Sequence, residues 1–263
     1  MKNKLLLATL AVLALGASSG LRAQAPAPAA APSSSWTITP AVVSQYMLRG
    51  VRLGGLSAQP VIEYTSGPVT AGLWNNIPLA DRVPGQSNPE IDPYASYTME
   101  LAKDLTFQPG FILYLYPAAR KKDGFYKMTF EPSVALNYTI EGIKLTPKLY
   151  YDTVLKQTLI EGSVAYSVPL KEIGTELSFL GQWGTFKAKD ILENSSPATK
   201  NWGEYWLAGV TLPFQLDKQS KLSVGWAYTK GRDNFLKTGN APKSVNTSAV
   251  GRGVVTVAYS FSL

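Results

Sequence analysis

From Trp36 to the last residue, apolar and polar positions alternate with a period of two. The clearest case is the C-terminal segment. Val255, Val257, Tyr259, Phe261 and Leu263 share one face, and Thr256, Ala258, Ser260 and Ser262 share the other. One apolar and one small polar face is the signature of a half-buried strand. Phe107, Pro109, Phe111, Leu113 and Leu115 repeat the pattern, as do Tyr126, Met128, Phe130, Pro132, Val134, Leu136 and Tyr138 against Lys127, Thr129, Glu131, Ser133, Ala135 and Asn137. Ile143 to Asp152 and Leu222 to Thr229 do the same. Proline on the apolar face breaks a continuous ladder, so Pro109, Pro132 and Pro147 require bulges or local gaps.

Read along the chain, the alternation predicts twelve strands, over 36–49, 60–66, 69–77, 90–101, 105–116, 125–139, 143–152, 158–168, 173–185, 203–215, 220–229 and 249–263. Their connections alternate in length. One set is tight, such as Gly67-Pro68, Ala102–Asp104 and Glu141–Ile143; the other is mostly long, as at 50–59, 78–89, 186–202 and 230–248. Short turns at one end and long loops at the other are the plan of an all-β, antiparallel up-and-down transmembrane β-barrel. A secreted β-sandwich also alternates. It does not alternate its loop lengths so regularly or place aromatics so densely near the strand ends.

The residues ahead of the strands fit that destination. Lys2 and Lys4 precede an apolar run from Leu5 to Leu15, and Ala23–Ala25 has the small-x-small form of a cleavage site. The run is too short to span a bilayer as a helix. The expected organisation is a signal peptide over 1–25, a Pro/Ala/Ser-rich linker over 26–35 and the barrel over 36–263, with a Gram-negative outer-membrane location after Sec-type secretion. An even strand count puts both ends of the barrel on the short-turn, periplasmic side.

Composition sharpens this picture. The chain holds 14 Tyr, 9 Phe and 6 Trp with only 16% charged residues, and its mean hydropathy is −0.02. Such a balance suits a barrel that faces lipid outside and water inside. The formal charge of +7 falls to +4 without Lys2, Lys4 and Arg22, which gives no reason to invoke nucleic acid. There is no cysteine and no histidine. That removes disulfides, thiolate chemistry, the usual metal sets and the general base of most barrel hydrolases, so neither enzymatic activity nor a cofactor is expected.

Strand parity directs Arg49, Glu63, Asp92, Glu100, Lys127, Glu131, Lys144, Lys148, Asp152, Glu161, Glu176 and Arg252 toward the lumen. A charge on the lipid face costs about 2–4 kcal/mol near the bilayer midplane. These groups are either a selectivity lining or a network of paired charges that fills the interior. In the first strand, Tyr46 falls with Ile38, Pro40, Val42 and Leu48 on the outward face, as a candidate for the upper aromatic girdle. Arg49 is expected at the lumen mouth and Gly50 at the start of the first outer loop. The expected outer loops are strongly basic, and Arg120, Lys121 and Lys122 are the candidate contact with lipid phosphates, those of lipopolysaccharide above all.

The segment Ser44–Gly50 also carries a resemblance. Ser44, Tyr46, Arg49 and Gly50 match an S-x-Y-x-x-R-G pattern. With QPVIEY from Gln59, AGLWNN from Ala71 and EIDPYASY from Glu90, the chain resembles the TorF-like porins of Gram-negative bacteria. YLYP at Tyr114 and EGSVAYSVPL at Glu161 are weaker echoes. The terminal strand resembles the recognition strand of outer-membrane barrels, with Leu263 where Phe is usual, which implies the barrel-assembly machinery as a partner. The resemblance implies a porin that lets small hydrophilic solutes diffuse through a narrow charged lumen. The alternative left open is a non-conducting barrel that works through its basic loops.

Overall fold

The computed structural model describes residues 34–80, 89–119, 127–154, 156–187, 202–232 and 251–263. The expected signal peptide, all of the linker except Ser34 and Ser35, and Arg120, Lys121 and Lys122 lie outside these residues.

The described residues form seventeen strand segments. They are β1 (Ser34–Thr39), β2 (Ala41–Val43), β3 (Tyr46–Leu48), β4 (Val51–Gly54), β5 (Ser57–Ala58), β6 (Val61–Ser66), β7 (Val69–Pro78), β8 (Glu90–Tyr97) and β9 (Met99–Ala102), followed by β10 (Leu105–Leu115), β11 (Met128–Ile140), β12 (Ile143–Asp152), β13 (Gln157–Leu170), β14 (Thr175–Lys187), β15 (Trp202–Gln215), β16 (Ser220–Arg232) and β17 (Arg252–Ser262). β1 with β2, β5 with β6, and β8 with β9 each make one interrupted stave. The result is a closed, antiparallel, twelve-strand barrel. β3 and β4 stand apart as their own two-stranded sheet. The first strand starts at Ser34, two residues ahead of the expected start.

Closure is made by the two ends of the barrel. Thr37 pairs with Ser262 and Ile38 with Phe261, while the Leu263 amide donates to the Trp36 carbonyl at 2.8 Å. Higher up, Val43 pairs with Thr256. The two ends thereby pair with each other instead of leaving open sheet edges, which strands in hydrocarbon cannot tolerate.

The outer face follows the predicted parity. Ile62, Val134, Leu136, Leu149, Ile160, Val164, Val224, Val255 and Val257 are exposed and form an aliphatic band. Aromatics flank it. Trp36, Tyr97, Tyr138, Tyr166 and Tyr259 lie toward the short-turn end, and Tyr151, Trp183 and Trp206 toward the other. Trp36 leans on Tyr64 at 4.9 Å and Trp206 on Tyr228 at 5.3 Å. Aromatic rings with a polar tip suit the two interfaces of a bilayer, where one side is apolar and the other wet.

The outward prolines sit where the ladder is open. Pro147 and Pro132 fall in gaps of the β11–β12 pairing, which skips from Ala135–Lys148 to Tyr138–Leu145 and starts only at Ser133. Pro109 faces the break between β8 and β9, where pairing jumps from Gly110–Ser96 to Phe107–Met99. Proline has no N–H to donate, so these positions lose nothing by it.

Inside, the short-turn half of the lumen is lined by small polar side chains bonded across strands. Thr39 donates to Ser260 at 3.0 Å, Gln108 to Ser96 at 3.1 Å, Asn137 to Thr106 at 3.2 Å and Thr146 to Asn137 at 3.1 Å. At the short-turn end, Asp217 closes the β15–β16 turn by accepting the amides of Gln219 and Ser220, each at 2.8 Å.

Candidate functional site

The first strand does not run on to residue 49. Ser44 is its last residue on the wall: its amide donates to the Val255 carbonyl and its hydroxyl accepts the Val255 amide, both at 2.9 Å. That pair of bonds replaces the next ladder step. The chain then turns into the barrel, and β3 and β4 form a hairpin that reaches across the lumen. The tip is a two-residue turn, Arg49-Gly50, between the paired Leu48 and Val51. Both turn residues have positive φ, 49° and 75°, as a type I′ hairpin demands. Arginine is an unusual first residue for that turn, since a left-handed conformation costs a non-glycine residue about 1–2 kcal/mol.

Three readings of this strand are corrected. Tyr46 is not a girdle residue: only 1% exposed, it lies inside the barrel and donates to Glu90 Oε2 at 2.7 Å. Its ring meets that of Trp74 at 5.7 Å. Arg49 is not at the mouth of the first strand and Gly50 does not open an outer loop. The physical reason is that Met47 is apolar and of inward parity. It gains a buried cluster with Val43 and Val254 by entering the lumen with the hairpin.

The hairpin is anchored on opposite sides of the barrel. Arg49 grips Glu131 of β11 with both terminal nitrogens, Nη1 to Oε2 at 2.9 Å and Nη2 to Oε1 at 2.6 Å. Such fork-to-carboxylate pairing is among the strongest side-chain contacts. Tyr114 adds a bond to Glu131 Oε1 at 3.2 Å, and the guanidinium lies 5.2 Å from the centre of the Tyr150 ring. On the other side, the Gly231 amide of β16 donates to the Gly50 carbonyl at 3.1 Å. The approach is so close that a Cβ on Gly50 would lie 2.3 Å from the Gly231 nitrogen.

Around this hairpin, neutral tyrosines clamp acidic groups. Tyr46 and Tyr116 donate to Glu90, the latter at 2.9 Å. Tyr150, at 3.0 Å, and Tyr205 donate to the two oxygens of Glu161. Lower in the lumen, Tyr94 donates to Glu63 at 2.8 Å. A phenol orients a carboxylate without cancelling its charge. Asp92 is 1% exposed, and among the described residues its side-chain oxygens meet no side-chain hydrogen-bond donor. Lys148 lies over the Tyr150 ring at 4.4 Å. A small cavity remains beside the hairpin, bounded by Met47, Leu48, Arg49, Tyr150, Glu161 and Gln182 among others.

The parity-selected residues are distributed as follows. Glu63, Asp92, Glu131, Lys144, Lys148, Asp152, Glu161, Glu176 and Arg252 occupy inward positions of the wall. Glu100 pairs with Thr106 on the inward face but is exposed at the short-turn end. Lys127 lies one residue ahead of β11, exposed at the other end. Arg49, Asp92, Glu131, Lys148, Asp152 and Glu161 come together at the waist. Asp152 is buried there, accepting a bond from Thr129 and from the Val154 amide at 2.9 Å. Glu90 and the tyrosine clamps were not among the selected residues. Part of their signal was available: Tyr94 shares parity with Asp92, and Tyr150 with Asp152, in their own strands. Among the described residues, no group of three or more acidic side chains is arranged to hold a metal.

A closed twelve-strand barrel with an apolar belt, aromatic girdles and a polar, hairpin-crossed interior has the architecture of a transmembrane β-barrel. The chain belongs to the Gcw_chp family, bacterial proteins of unknown function, whose model matches residues 29–261. No curated protein matches it. The NanC porin shares the fold, with a TM-score of 0.54 and 11% identity over 87% of this chain and 100% of the other. An outer-membrane channel from Pseudomonas putida F1 follows, with a TM-score of 0.51 and 8% identity over 90% and 97%. The KdgM porin, solved in complex with disordered oligogalacturonate, has a TM-score of 0.50 and 11% identity over 87% and 99%.

Proposed function

We propose that this protein is a TorF-like outer-membrane channel for passive diffusion of small hydrophilic solutes, with a narrow charged lumen whose waist is set by the β3–β4 hairpin. No covalent step is involved. The observation that carries the reading is the segregation of the wall: a continuous apolar belt outside, and inward charges gathered around one inserted hairpin. A barrel that served only as an anchor has no need to hold buried carboxylates at its waist, where each costs desolvation. The Sec-type signal over 1–25, the periplasmic linker over 26–35 and assembly through β17 complete the reading. So does contact of Arg120, Lys121 and Lys122 with lipopolysaccharide phosphates.

A second reading has its own observation. The hairpin occupies the waist and its anchors are strong, which favours a sealed barrel that acts through its basic loops. Single-channel recording in planar bilayers separates the two. Discrete open steps with purified protein support the channel. A barrel that folds, inserts and never conducts overturns it and leaves the loop-based reading.

A further inference from the structure

The wall beneath Arg49 has the form of a binding site that the chain itself occupies. Glu131, 1% exposed, presents both oxygens to a planar fork. Tyr150 presents a ring face at cation–π distance. Tyr114 holds Glu131, and Tyr150 and Tyr205 hold Glu161. These groups belong to β10, β11, β12, β13 and β15 of the wall and none belongs to the hairpin, so they stay in place when the hairpin withdraws. Without Arg49, the carboxylates of Glu131 and Glu161, with Asp92 and Asp152 nearby, outnumber Lys148 among the described residues at the waist, so the site attracts a cation. The twin oxygens of Glu131 favour guanidinium over a spherical ion.

The occupant, by contrast, is held at a cost. Arg49 sits at φ 49° in a turn position that favours glycine or asparagine. A side chain placed there by strain is one that a free cation of the same shape can displace.

We propose that Glu131, Tyr114, Tyr150 and Glu161 form a recognition site for small guanidinium cations, and that Arg49 is its tethered occupant. A solute of this class competes with Arg49, releases the hairpin and passes the waist. The passage step rests on the channel reading above; the binding step does not.

The test uses Arg49→Gly, which suits the turn and empties the site. Folding is checked by the mobility of the unheated barrel on a denaturing gel; Arg49→Asn, which also tolerates positive φ, replaces it if folding fails. Radiolabelled guanidinium is the probe in equilibrium dialysis of the detergent-solubilised full chain, with sodium as competitor. The expected result is saturable binding in Arg49→Gly that sodium does not displace. Apparent affinity in the wild-type chain should be at least about tenfold weaker, because the tether competes at a high effective concentration. Binding should vanish in Arg49→Gly with Glu131→Gln. No saturable binding in the folded variant, or binding that survives Glu131→Gln or yields to sodium, overturns the proposal. Bilayer currents from the same samples keep the two readings apart. Saturable binding in a sealed barrel removes the channel and keeps the site, while conduction without binding does the reverse.

Discussion

Replacing Arg49 by alanine should release the hairpin without opening the wall. The magnitude follows from the contact. Removing one partner of a buried ion pair costs about 3–5 kcal/mol, because the other charge is left unpaired. Two features lower that figure. Arg49 is 17% exposed, and Tyr114 still donates to Glu131 after the change. Alanine keeps the unfavourable positive φ, so no strain is relieved. A loss of about 2–3 kcal/mol remains, and at 1.4 kcal/mol per decade this raises the withdrawn population roughly 30- to 150-fold.

The chain has no cysteine, so a single introduced thiol reports cleanly. Met47, a fully buried residue of the hairpin itself, becomes Met47→Cys, and a membrane-impermeant maleimide is added from outside. Labelling should be slow in that background and faster by the stated factor when Arg49→Ala is added. Gly50→Ala should act in the same direction by a separate route, since its Cβ collides with the Gly231 backbone. If Arg49→Ala changes the labelling rate less than about threefold, the bidentate pair does not hold the hairpin, and the energetic argument fails.

Gly184→Ala drives a methyl group to 2.4 Å from the buried Tyr205 ring; overpacking of this kind costs about 1–3 kcal/mol, read as a lower urea midpoint in detergent, and an unchanged midpoint would show that the ring is free to move. Val257→Arg places a charge in the middle of the outer band and should cost about 2–4 kcal/mol in lipid vesicles, whereas Thr256→Ser, on the inward face of the same strand, should be near neutral. Asp217 is held below the ordinary aspartate range first by the Ser220 hydroxyl and then by the amides of Gln219 and Ser220. Its contribution is therefore present above the unfolded value and lost as pH falls through the folded one. The amide shifts of Gln219 and Ser220 should titrate with a midpoint below that of free aspartate, and an ordinary midpoint refutes the turn geometry.

What the sequence disclosed and what it hid have one physical cause. The outer face was legible because lipid contact imposes strict parity. Val255 to Leu263, and the run from Met128 to Tyr138, sort their side chains as their alternation predicts. The lumen charges were legible for the complementary reason, that a charge has nowhere else to point. The prolines became intelligible only with the pairing known, since a gap in the ladder is a property of two strands and parity belongs to one. The hairpin was hidden because Tyr46 and Leu48 keep the parity of Trp36, Ile38 and Val42, so a strand entering the lumen reads like one continuing up the wall. Yet a local signal was present. Tyr46–Leu48 and Val51–Leu53 are two short apolar-rich runs around Arg49-Gly50, a two-residue interval that reads as a tight hairpin once turn length is weighed against parity. Parity cannot assign Tyr46 a side here, because the lumen at this height is as enclosed as a protein core. A tyrosine satisfies lipid on the outside or Glu90 on the inside equally well. Only the turn decides, and the turn places Arg49 within reach of Glu131.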